Sequence, residues 1–90
     1  MKKWYVYILR CADNTLYTGI TTDLKRRMTE HNAKTLGAKY TKAKRPVTLV
    51  YREPANNRSE ALKREAAIKT RSKEQKELLI SAFSPQLDSL

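Results

Sequence analysis

The sequence predicts a small α/β domain, with three strands and three helices in one chain of 90 residues. Three observations predict it. Two runs rich in β-branched and aromatic residues, Trp4 to Arg10 and Leu16 to Ile20, flank the turn-forming Ala12-Asp13-Asn14, which is a hairpin pattern. A third such run, Val47 to Arg52, stands further down the chain. Two capping signatures, Asn57 with Glu60 and Ser72 with Gln75, each open a helix-compatible stretch.

In the first strand Tyr5, Tyr7 and Leu9 share one face, and Trp4, Val6 and Ile8 share the other. Neither face is polar enough to be wholly solvated, which places this strand at the centre of a sheet. The loop that follows should hold an odd number of residues. A two-residue loop at Asp13-Asn14 would set Tyr17 opposite Arg10, on the face away from Tyr7. The odd loop Ala12-Asp13-Asn14 returns Tyr17 to the face of Tyr7. Gly19 weakens the second strand and marks a close approach of another group to its backbone. Thr22 or Asp23 can cap a helix to about Asn32, with Leu24 and Met28 turned to the core and Arg27 and His31 on the adjacent stripe at its border. Ala33 to Pro46, with Gly37 and five basic residues, reads as a loop or partly ordered segment. The second helix runs to about Lys69 and the third to about Ala82. The domain is expected over residues 1–83, and a disordered tail over 84–90, where Pro85 interrupts any periodic pattern.

Nineteen Lys and Arg against nine Asp and Glu give a net charge of +10. Eight of the basic residues lie between Lys25 and Arg45, with one acid, Glu30, among them. Such clusters neutralise phosphates and release counterions, so nucleic acid is the expected partner. A solvated basic surface or a ribosome-associated protein is the plainer alternative. The nucleic-acid-binding candidates are Lys34, Lys39, Tyr40, Lys42, Lys44 and Arg45. No apolar run approaches the roughly 20 residues of a membrane span, and no cleavage site follows the basic start, so no membrane partner is expected. Cys11 is the single cysteine. That excludes an internal disulfide and points to a reducing, cytoplasmic compartment. One Cys and one His cannot build a structural zinc site.

Tyr7, Tyr17 and Arg27 sit ten residues apart on a strand, a second strand and a helix, with His31 one turn after Arg27. Two phenols, a guanidinium and an imidazole that converge could cut a phosphodiester. Glu65 is the fifth candidate. It falls inside the apolar arc of the second helix, formed by Ala61, Leu62, Ala66 and Ile68, where an unpaired carboxylate would cost several kcal/mol. Two explanations stand open: an ion pair with Lys69 at i+4, or a metal ligand or catalytic acid at a pocket floor. Each of the other residues also has a plain role, such as a packed tyrosine, a solvated arginine, or a histidine that complements a helix dipole.

Together these residues resemble the GIY-YIG nuclease superfamily, specifically its small stand-alone bacterial members. The first motif stands here as Tyr5-Val6-Tyr7 and the second as Tyr17-Thr18-Gly19. The family arginine matches Arg27 within Asp23-Leu24-Lys25-Arg26-Arg27. His31 falls where the family carries His or Tyr, and Glu65 matches the metal-binding glutamate. Gly37-Ala38-Lys39-Tyr40-Thr41, Arg45-Pro46 and Leu49-Val50-Tyr51 look like the stand-alone and structure-specific branches. The resemblance spans about residues 4 to 80. Tyr5 replaces the eponymous glycine, Thr18 the isoleucine, and Ile20 a lysine of the excision-repair nucleases.

The resemblance implies a three-stranded, mostly antiparallel sheet flanked by helices, with the first strand central. It implies an endonuclease that hydrolyses DNA, structure-specific or repair-related, with a single Mg²⁺ or Mn²⁺ on Glu65. Arg27 would hold a phosphate oxygen, a tyrosine would act as base, Tyr7 with Tyr17 as its partner or the reverse, and His31 would orient or deprotonate the phenol. Active members usually carry a second, DNA-binding domain, so a protein partner that supplies target recognition is also implied. The alternatives are a nucleic-acid-binding module with a weak or idle site and a small basic accessory protein.

Overall fold

The computed structural model describes residues 3–32 and 44–87, the side chains of 84–87 excepted. The elements run β1 (Trp4–Arg10), β2 (Leu16–Thr21), α1 (Leu24–Asn32), β3 (Thr48–Ala55), α2 (Arg58–Lys69) and α3 (Lys73–Leu87). The strand order is β2-β1-β3, so the apolar β1 is central, and both pairings are antiparallel. The hairpin closes through Cys11 and Thr15, whose backbone bond of 2.8 Å brackets Ala12-Asp13-Asn14. Asn14 adopts φ 70°, a left-handed conformation that asparagine tolerates and that lets a three-residue loop reverse the chain. The loop is odd as expected. Tyr7 therefore pairs with Gly19 and Leu9 with Tyr17, all on one face of the sheet.

Each face of the sheet carries its own core. Val6 and Ile8 pack with Ala61 and Ile68 of α2 and Ile80 of α3. Tyr7, Leu9, Cys11 and Val47 pack with Leu24 and Met28 of α1. Asp23 caps α1, accepting from the Arg26 N–H at 3.0 Å. Asn57 caps α2, accepting from Glu60 N–H at 2.9 Å. At α3 the capping box is reciprocal: Ser72 Oγ accepts from Gln75 N–H, and Gln75 Oε1 accepts from Ser72 N–H.

Four boundaries differ from expectation, one being the end of β2 at Thr21 rather than Ile20. β3 starts one residue late because Val47 spends its backbone groups on Asn32: its N–H donates to Asn32 Oδ1 at 2.8 Å, and its carbonyl accepts from Nδ2 at 3.2 Å. The strand then continues to Ala55 through Pro54, which an edge strand tolerates. α3 extends to Leu87 rather than ending near Ala82. The buried stripe of α2 is also narrower than the predicted arc. Ala61 and Ile68 are fully buried, whereas Leu62 is 37% exposed and Ala66 is exposed, because α2 covers the sheet with one side only. No helix among the described residues is long and apolar enough to cross a membrane.

Candidate active site

The face of the sheet that carries Tyr7 and Tyr17 meets the last turn of α1. Leu24 and Met28 anchor that helix on the Tyr7–Leu9 core, which turns Arg27 and His31 toward the two phenols. The Tyr7 hydroxyl lies 2.9 Å from His31 Nε2, and the bond is buried. Ring centroids are 6.4 Å apart for Tyr7 and Tyr17, 5.9 Å for Tyr7 and His31, and 5.3 Å for Tyr17 and His31. These are contact distances for aromatic pairs. Gly19 makes room for them. A Cβ there would sit 2.5 Å from the Tyr7 hydroxyl oxygen and 2.7 Å from its ring carbon Cζ. The glycine that looked like a close approach in the sequence is the floor on which the Tyr7 phenol rests.

Electrostatics follow from burial. The Tyr7 phenol is pushed up to about 12, first by burial, against which the hydrogen-bonding Arg27 guanidinium pulls down. The Glu65 carboxylate is close enough to add to the upward shift. Burial, then the Arg27 charge, hold His31 down at about 4. Burial works against the Arg27 charge, but hydrogen bonding to Glu30 and Tyr7 outweighs it and raises the guanidinium's pKa. Arginine offers only donors, so it faces the lone pairs of the phenol oxygen. We assign the phenol's own proton to the bond with Nε2, which makes His31 the Nδ1–H tautomer. Buried and neutral, His31 is not the charged helix-dipole partner that its place near the end of α1 allowed.

Glu65 comes from α2, on the other layer. Its side chain is 17% exposed, and its carboxylate lies 3.3 Å from Lys69 Nζ. The i+4 ion pair therefore exists, beside an electrostatic influence on Tyr7. Two described members of the basic segment are Lys44 and Arg45. The Lys44 ammonium bonds Asp13 at 2.6 Å, and its backbone carbonyl accepts from Ala12 N–H. Lys44 and then Thr15 hold the Asp13 carboxyl well below the usual carboxylate range. Lys44 thus ties the segment to the hairpin turn. Arg45 is half-buried. Lys34, Lys39, Tyr40 and Lys42 lie outside the described residues.

Two site residues were not singled out from the sequence. Glu30 Oε1 accepts from Arg27 Nη1 at 2.8 Å, fixing one edge of the guanidinium and leaving the other for the phenol. The i+3 spacing was a usable signal. Asn32 holds Val47, and so β3, against the end of α1. No local signal marks it, since its partner is fifteen residues away.

The GIY-YIG catalytic domain model matches residues 3–78. The UPF0213 protein DP2720 of Desulfotalea psychrophila is 60% identical over 79 residues, which cover 88% of this chain and 72% of that protein. The UPF0213 protein SH2523 of Staphylococcus haemolyticus is 57% identical over 76 residues, covering 84% of this chain and 92% of that one. Two solution NMR structures are similar. The protein EF2693 from E. faecalis has TM-score 0.63 and 45% identity, covering 92% of this chain and 88% of that chain. The UPF0213 protein BH0048 from Bacillus halodurans has TM-score 0.59 and 40% identity, covering 91% and 86%. The three-stranded sheet with its face of two tyrosines under an Arg–His helix is thus a nuclease-like fold, and the chain belongs to the GIY-YIG catalytic-domain family.

Proposed function

We propose that this chain is a metal-dependent endonuclease that hydrolyses DNA phosphodiester bonds at branched or damaged structures. The observation that carries the proposal is the buried Tyr7–His31 hydrogen bond with Arg27 beside it. Attack by water on phosphorus needs a proton acceptor, a group that offsets the growing phosphoryl charge, and a stabilised leaving oxygen. Tyr7 takes the water's proton on its oxygen as its own proton passes to His31 Nε2. The water oxygen joins phosphorus, and the bond to the leaving oxygen breaks, its electron pair departing with that oxygen, which takes a proton from solvent. Both groups hold resting pKa values far from neutrality, so the incoming phosphate must stabilise the imidazolium that forms. Arg27 binds a non-bridging phosphate oxygen with its fork while Glu30 keeps the fork oriented. Tyr17, packed against both rings, fixes their orientation.

Nucleases of this family generally use a divalent metal. Among the described residues no group of three or more metal-binding side chains exists, so a preformed cage is not the fit. A single hard carboxylate, Glu65, does fit Mg²⁺ or Mn²⁺, since Mg²⁺ commonly binds one or two carboxylates, waters and substrate phosphate. When bound, the metal supplies charge stabilisation to the phosphoryl and leaving oxygens. Lys69 Nζ lies 3.3 Å from the same carboxylate.

The test is cleavage of plain, nicked, flapped and branched DNA with Mg²⁺ or Mn²⁺, wild type beside Glu65→Ala. Cutting by wild type alone supports the proposal. The Glu65–Lys69 ion pair favours a second function, a nucleic-acid-binding module with an idle site. Binding without cleavage on every structure and with both metals would establish that function instead.

A further inference from the structure

Arg52 occupies the β3 position directly paired with Tyr7, so the two side chains leave the same face of the sheet. β1 is central, with Gly19 beside Tyr7 on its β2 side and Arg52 beside it on its β3 side. The register is deliberate in a physical sense. A bulge between the Ile8 and Leu9 pairings shifts β3, yet Leu49 on one side of it and Arg52 on the other both face the Tyr7 layer. Arg52 is half-buried. Other arginines near the sheet are matched with carboxylates: Arg10 with Glu77, Arg27 with Glu30, Arg64 with Glu53. Glu53, next to Arg52 in the chain, points to the opposite face and is used by Arg64 and Tyr51. The Arg52 guanidinium makes no hydrogen bond or ion pair among the described residues. A guanidinium with five donors, on the face of the sheet that carries Tyr7 and without a carboxylate, is an anion-binding group.

We propose that Arg52 binds a backbone phosphate next to the scissile one, on the β3 side of Tyr7, and thereby adds affinity for the strand to be cut. The inference rests on the nuclease function proposed above and adds a second phosphate subsite to it. Arg27 acts on the Tyr7 hydroxyl from α1, and Arg52 leaves the same face of the sheet from β3, so that face presents two guanidinium groups to one strand. Arg52 touches a phosphate that does not react. Its charge therefore contributes to binding and leaves the chemical step alone.

Binding is measured by fluorescence anisotropy on a labelled branched DNA in EDTA, over a range of salt, for wild type, Arg52→Gln and Arg52→Lys. Arg52→Gln should weaken affinity about five- to tenfold and flatten the log–log salt slope by about 0.7–0.9. Arg52→Lys should keep most of the slope, which also covers the case in which the neutral variant folds poorly. Single-turnover cleavage with protein saturating over DNA should proceed at the wild-type rate in Arg52→Gln, reached only at a higher protein concentration. Wild-type affinity and slope in Arg52→Gln would overturn the subsite whether or not the protein cleaves. A slope lost equally in Arg52→Lys would overturn it, since charge would not be the cause. A slow chemical step at saturation would also overturn it, by putting Arg52 on the reacting phosphate. Absence of cleavage by wild type, with the binding effects intact, would remove the nuclease function and leave Arg52 as a phosphate contact.

Discussion

Tyr7 and His31, from the central strand and the first helix, share a buried hydrogen bond of 2.9 Å, and burial drives both toward their neutral forms. This sets a pH window for stability. His31 falls from 6.5 unfolded to about 4 folded, so the stability linked to it is complete above pH 6.5 and is lost as pH falls through 4. Tyr7 rises from 10.0 to about 12, so its contribution is complete below pH 10 and is lost as pH rises through 12. Urea midpoints against pH should form a plateau between these limits. The acid limb should amount to about 3 kcal/mol, and His31→Phe should flatten it.

Tyr7→Phe keeps the ring and removes the hydroxyl. His31 Nε2 then loses its buried partner, at a cost of about 1–3 kcal/mol. Cleavage should fall below detection while DNA affinity stays near wild type. Thermal melts, anisotropy and single-turnover assays on one preparation check all three.

Gly19→Ala places a methyl group 2.5 Å from the Tyr7 hydroxyl oxygen. Tyr7 is 2% exposed and cannot swing into solvent, so its ring must shift within the packed layer. Such overpacking costs about 1–3 kcal/mol. The predicted signature is a lower melting temperature together with a slower chemical step. A fully active Gly19→Ala would show that the Tyr7 position tolerates displacement.

Glu65→Gln should abolish metal binding in calorimetric titrations with Mn²⁺ and abolish cleavage. Its ion pair joins a side chain 17% exposed to a lysine 54% exposed, so the loss of stability should stay within about 1 kcal/mol. A large drop in melting temperature with unchanged metal titration would make the carboxylate structural.

Arg27→Ala should reduce turnover more than DNA affinity, because the phosphate proposed as its partner would gain charge in the transition state. Lysine should rescue poorly, since a point charge cannot use Glu30, the phenol and a phosphate at once. The side chain is 30% exposed, so truncation should cost about 0.5–1 kcal/mol of stability. Equal single-turnover rates for wild type and Arg27→Ala would remove it from the chemistry.

The sequence by itself determined the local features. Strand faces follow from a period of two, and Ala12-Asp13-Asn14 carries turn chemistry; the odd loop was the length that a shared face for Tyr7 and Tyr17 required, and the register has it. Asp23, Asn57 and Ser72 cap their helices through partners three residues away, which is why those helix starts could be read. The tertiary structure alone decided everything that depends on distant partners. His31 became fully buried because β1 and β2 close over the end of α1, and Lys44 found Asp13 thirty-one residues away. The width of the α2 stripe depends on how much of the sheet that helix covers, which no helical period encodes. Arg52 stands beside Tyr7 only because β3 pairs with β1 in one register, with a bulge between Ile8 and Leu9. A one-residue slip would have sent it to the other face, and that choice is made by long-range pairing rather than by neighbours in the chain.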